Sequence, residues 1–157
     1  MLRLDVHIED TRWDPYQNLF DEEISSLLND ALIFHGSQKK GRVGILLASN
    51  DKIQQLNKQF RDKDKPTNVL SFTPAPVTSR SRQTHYFGDI ALAFETLETE
   101  ATAQHKSLHH HIMHLTLHGF LHLLGFDHEE EDERHRMEVH EIILLAQHDI
   151  SNPYEVS

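Results

Sequence analysis

The stretch from Leu115 to His128 constrains this chain more than any other. Leu115, Leu117, Phe120, Leu121, Leu123 and Leu124 surround a helical segment that also carries His118 and His122. A helix that is apolar on all sides belongs in a protein interior, so this is expected to be a central helix. Two imidazoles four residues apart stand about one turn apart on one face. Buried there, they need polar partners, and a metal ion supplies one. Gly125 suits the left-handed cap that ends a helix. The chain can then turn back and bring His128 toward the same point. Three neutral nitrogens with no fourth protein ligand in view describe a zinc site with an open position for water.

At 157 residues the chain reads as one domain, residues 1–157, large enough for a substantial core. It contains no cysteine, so a metal must rest on His, Asp or Glu. Met1-Leu2-Arg3-Leu4-Asp5 lacks the apolar run of a signal peptide, and no stretch approaches the roughly 18 apolar residues that span a bilayer. A soluble, cytoplasmic protein without membrane contact is expected. The net charge of −10 is unevenly spread. Lys39 to Arg82 holds ten basic and three acidic residues, and everything else is strongly acidic. Such a split can build a positive surface on an acidic protein.

Leu2, Leu4, Val6 and Ile8 alternate with polar residues and read as a strand. Asp14-Pro15 is expected to start a helix that Gly36 stops. Arg42 to Ser49 reads as a second strand, and Asn50 as the cap of a helix carrying Ile53, Leu56 and Phe60. A polar stretch, Arg61 to Asn68, precedes a strand at Val69-Leu70-Ser71-Phe72. A loop from Thr73 to about His85 leads to a strand at Tyr86 to Phe94. Helices follow at Glu95 to Gln104, from Ser107 as cap, and at Asp132 to Gln147, the last with Met137, Val139, Ile142, Ile143 and Leu145 as core candidates. Strands dominate the first part and helices the second. An α+β fold is expected, a small mixed sheet of about four strands packed with about five helices.

Fourteen histidines make chance spacings common. His109-His110-His111 reads as a solvated helix face, and His114 as a core group that orients a ligand by a hydrogen bond. The composite His118-x-x-x-His122-x-x-Gly125-x-x-His128 is more specific, and it is also the ligand spacing of metzincin peptidases. In those enzymes a glutamate general base follows the first histidine, and here that residue is Gly119. Peptide hydrolysis becomes the lesser alternative.

The run from His118 to His128, together with Phe60-Arg61-Asp62-Lys63-Asp64-Lys65-Pro66-Thr67-Asn68-Val69-Leu70-Ser71-Phe72 and Gly88-Asp89-Ile90, resembles the YbeY family. The resemblance runs from about Asn50 to the C-terminus. It implies a metal-dependent endoribonuclease of ribosomal RNA maturation, acting at the 16S rRNA 3′ end and in ribosome quality control. It also implies one Zn²⁺ on His118, His122 and His128, an activity-supporting Arg61, and RNA and small-subunit assembly components as partners. Thr73 stands where the family often has proline. On residues alone, the favoured reading of Arg61 is a surface ion pair, for instance to Asp62 or Asp64, and the resemblance reverses that order. A guanidinium that binds two phosphate oxygens and a zinc-acidified water suit phosphodiester cleavage. The general base stays open among Asp127, His114 and the substrate 2′-hydroxyl, and Asp89 reads as a turn or supporting carboxylate. A non-catalytic assembly factor stapled by zinc is the remaining alternative.

Overall fold

The computed structural model describes residues 1–37, 40–74, 84–126 and 129–155. Strands β1 (Leu2–Ile8), β2 (Gly41–Ala48), β3 (Val69–Phe72) and β4 (His85–Ala93) form one sheet in the order β1-β2-β4-β3. The first, second and fourth run parallel, and β3 is antiparallel to β4. Among the described residues, five helices of ten residues or more accompany the sheet. They are α1 (Ser25–Phe34), α2 (Asn50–Arg61), α3 (Phe94–Ala103), α4 (Leu108–Leu123) and α5 (Glu131–Gln147). This is the expected α+β architecture.

The sheet is buried on both faces, and its strands alternate accordingly. On β2, Val43, Ile45 and Leu47 enter the larger core, while Leu46 and Ala48 face a smaller one. On β4 a bulge interrupts the alternation: Arg42 pairs with Tyr86 but Gly44 pairs with Asp89. Phe87 and Ile90, three residues apart, therefore share the larger core. Gly88 lies in the bulge at φ +128°, and a Cβ there would stand 2.3 Å from the Phe72 carbonyl oxygen.

Helix α4 lies on the larger-core face against β3 and β4, ringed by α1, α3 and α5. Ten of its sixteen residues are buried, as its all-round apolar sequence requires. Ser107 caps it, accepting a hydrogen bond from the His110 amide at 3.1 Å. Gly125, at φ +107°, ends it, with the Phe126 amide donating to the Leu121 carbonyl at 3.1 Å. Helix α2 covers part of the opposite face through Ile53 and Leu56.

Several local expectations are corrected. Asp14-Pro15 lies inside a 3-10 turn, Thr11–Tyr16, that Asp10 caps, and a π turn, Phe20–Ile24, precedes α1. The turn buries Trp13 completely, with its indole N–H donating to the Ala48 carbonyl at 2.9 Å. Ser49, not Asn50, caps α2, while Asn50 accepts from the Thr96 hydroxyl at 2.7 Å. His111 is buried at 2 % exposure and bonds Glu100 at 2.9 Å, so the triple-histidine run is not wholly solvated. On α5, Met137 and Leu145 are buried as expected and Ile142 is half-buried, but Val139 and Ile143 are exposed, and Glu141 and Leu144 join the buried side. No helix of the described residues is long and apolar enough to cross a membrane.

The bulge glycine is testable. Gly88→Ala forces a Cβ into the β3 backbone at a dihedral unsuited to L residues. It is expected to lower unfolding free energy by about 3 kcal/mol, measured by urea denaturation.

Candidate metal centre and cationic cleft

The C-terminal half of α4 forms one wall of a cleft of about 580 Å³, and the end of α2 with the segment Arg61–Asn68 and β3 forms the other. His118 and His122 open into it opposite Arg61, Lys63 and Lys65. Two contacts set its width. The Ser71 hydroxyl donates to the Gly119 carbonyl at 2.9 Å. A Cβ on Gly119 would meet Ile90 Cγ2, Ser71 Oγ and Val69 Cγ2 at 3.0 to 3.2 Å. The residue after the first histidine thus faces the sheet, where an added Cβ is tight against three side chains. With Gly119 there, the peptidase arrangement lacks its base.

His118 Nδ1 lies 3.1 Å from Glu141 Oε1, and His122 Nδ1 lies 2.9 Å from the Phe126 carbonyl oxygen. A carbonyl only accepts, so His122 carries its proton on Nδ1, and the same holds for His118 facing a carboxylate. The two Nε2 atoms, on the side of each ring away from these partners, then converge, 3.2 Å apart. Two nitrogens each about 2.0–2.1 Å from one tetrahedral ion stand about 3.3 Å apart. The pair therefore fits a zinc ion, with the outer partners that ligating histidines keep. Among the described residues no group of three His, Asp or Glu side chains is arranged to hold an ion. The third expected ligand, His128, lies outside the described residues, as does Asp127.

Glu141 is the group that sequence reading missed. It is fully buried on α5, with Oε2 2.5 Å from His114 Nε2 and accepting from the Tyr154 hydroxyl at 2.8 Å. Burial alone would raise its pKa. The hydrogen bonds from His114 and His118 prevail and hold it at about 2, so it is a carboxylate. Burial and the same carboxylate push the Tyr154 hydroxyl above its usual range, keeping it a donor. His114 therefore helps to orient His118 at one remove, through Glu141. It does not line the cleft, which weakens it as a base there. The signal for Glu141 was its place four residues after Met137 on the buried side of α5, a pattern that the expected apolar stripe obscured.

The cationic wall is built by local capping. Asp62 takes a left-handed conformation (φ 57°) that ends α2, and buried Asn57 donates its side-chain amide to the Lys65 carbonyl at 2.9 Å. This folds Lys63 and Lys65 back over the cleft. Arg61 donates to the Ser71 carbonyl at 3.1 Å, while Asp64 engages Gln54 and Lys58. The Asp62 or Asp64 ion pair is thus not the contact that Arg61 makes. Asn68 donates to both Glu100 oxygens at 3.2 Å and anchors the start of β3 on α3. Of the other basic residues in the Lys39–Arg82 segment, Arg42 lies across the sheet beside Asp5 and Tyr86. Lys39, Arg80 and Arg82 lie outside the described residues, as does the Thr73–His85 loop apart from its ends. Asp89 accepts from Tyr86 on the sheet face away from the histidines, so it does not support the centre.

Residues 6–149 match the protein family described as Endoribonuclease YbeY. The Endoribonuclease YbeY of Bartonella bacilliformis is 37% identical over 154 residues, 98% of each chain. That of Francisella tularensis subsp. tularensis is 42% identical over 147 residues, 89% of this chain and 82% of its own. The solution structure of TM1509 from Thermotoga maritima shares the fold, with a TM-score of 0.57 at 21% identity, covering 100% of this chain and 97% of the other. With a match of this extent and relatives aligned nearly end to end, the chain belongs to the YbeY endoribonuclease family.

Proposed function

We propose that the chain is a zinc-dependent endoribonuclease that cuts single-stranded regions of ribosomal RNA precursors in the cytoplasm. Its tasks on this reading are 16S rRNA 3′-end maturation and ribosome quality control, beside small-subunit assembly components. One observation carries the chemistry. Two imidazoles with outward-held Nδ1 protons aim their Nε2 lone pairs into a cleft whose opposite wall is Arg61, Lys63 and Lys65. A polyanion with a reacting phosphorus suits both walls at once. Family membership supports the RNA substrate.

His118, His122 and His128 would hold the ion, whose chemistry there is Lewis acidity toward a phosphate oxygen and a water acidified toward pKa ~7. The chain's own residues do the rest. Glu141 fixes the ring and tautomer of His118, and the Phe126 carbonyl does so for His122. Arg61, held by the Ser71 carbonyl at the cleft's edge, offers a planar fork to two non-bridging phosphate oxygens. As charge builds on those oxygens the fork binds more strongly, which lowers the barrier. Lys63 and Lys65 attract the backbone without reading sequence, in keeping with the unstacked regions where RNA is bound by phosphate contact.

His118→Ala is expected to lose both bound zinc, by elemental analysis, and cleavage of ribosomal RNA in the same preparation; full cleavage by the zinc-free variant would sink the reading. Arg61→Ala should keep zinc and fold while the turnover rate falls about 10²–10³-fold. Glu141→Gln should weaken zinc binding about 10–100-fold in a chelator competition, because the carboxylate that orients His118 is gone.

A further inference from the structure

Phe60 is the last apolar residue of α2 and is 61 % exposed, although it neighbours Arg61. Its ring meets Phe72 at 5.4 Å between centroids, tilted by 62°. The two phenylalanines sit at a groove of about 600 Å³ on the sheet face away from the histidines, floored by Leu46, Leu56 and Ala91. Strand alternation explains the arrangement. Ser71 points toward α4 and bonds Gly119, so the next residue, Phe72, points to the other side. Strand β3 is thus a thin divider between cleft and groove. Thr73, just past its end, lines both.

Charge separates the two compartments. The cleft side carries Arg61, Lys63 and Lys65. The groove carries Asp5 and Asp89 with Arg42, and these already engage one another and Tyr86. Phosphates favour the first compartment, and an aromatic ring with N–H donors at its edge favours the second. A nucleotide unit has both parts.

We infer that the Phe60–Phe72 pair is a stacking site for an unpaired base flanking the scissile phosphate, with the backbone crossing the end of β3 at Thr73 and its phosphates on the Arg61 side. This rests on the endoribonuclease reading and adds a subsite to it. Stacking on an aromatic ring tolerates any base, because every base has a π face. The site would therefore add affinity without a strict sequence preference. It also gives the exposed ring of Phe60 a partner for its open side.

The test uses the full-length, zinc-loaded protein, with a cleavage-resistant 2′-O-methyl single strand of about twelve nucleotides and an abasic strand of the same length and backbone. Binding is read by fluorescence anisotropy and competition. Phe60→Ala should weaken the long strand about tenfold, several times more than it weakens the abasic strand, and Phe60→Trp should restore the long-strand affinity. RNA cleavage by the wild type with equal long-strand binding by Phe60→Ala overturns the stacking site and leaves the nuclease reading standing. Equal losses on both probes mean that Arg61 has been displaced, and they also overturn it. Undiminished RNA binding with lost association to small ribosomal subunits would make the groove a protein-docking face instead. A wild type that neither binds nor cuts RNA overturns both readings.

Discussion

The close approach of α4 to the sheet at Gly119 sets the dimensions of the functional region. Without a Cβ, the helix backbone sinks until its carbonyl takes a hydrogen bond from Ser71 and its surface touches Val69 and Ile90. That contact brings the flanking His118 and His122 to the edge of β3, and hence within one cleft of the Arg61–Asn68 segment that feeds the strand. A bulkier residue would separate the two walls that make the cleft bipartite. The same position carries no glutamate, the base that a peptidase of this ligand spacing needs.

Behind this contact lies a buried carboxylate. Glu141 has no exposure, and burying an unpaired charge is costly. It is stabilised by His114, His118 and Tyr154, from α4 and from the chain beyond α5. Removing one partner of such a group typically costs about 3–5 kcal/mol. The arrangement joins stability to function, because the carboxylate that closes the core also orients the imidazole of His118. It also gives the C-terminal segment a part in the centre through Tyr154.

The net charge of −10 describes the whole surface poorly. Positive residues near the cleft are gathered by the left-handed turn at Asp62 and by Asn57, which folds the Lys63–Lys65 turn inward. Arg42, from the same basic segment, is on the opposite sheet face among carboxylates. Sequence proximity put these charges in one segment, and backbone capping sorted them into two environments.

Much of the fold was legible in the sequence because it rests on local rules. The all-apolar character of α4, the Ser107 cap, the Gly125 terminus and the strand at Val69–Phe72 each follow from nearest neighbours along the chain. The pairing of His118 with His122 was legible for the same reason, as helical spacing alone puts them on one face. Caps with competing neighbours were misread: Asp10 displaced Asp14, and Ser49 displaced Asn50. The core of α5 was misassigned in part, at Val139 and Ile143, because its stripe contains a glutamate, which hydropathy counts as solvent-facing. Its partners lie 27, 23 and 13 residues away in the chain, and no local pattern announces them. The sequence by itself determined the elements, the ligand-type face of α4 and the family. Only the tertiary structure decided the tautomers that aim both Nε2 atoms inward, the meeting of that face with Arg61, and the division of cleft from groove by β3. Those depend on contacts between distant segments, which hydrogen-bond satisfaction and close packing select only once the chain is folded.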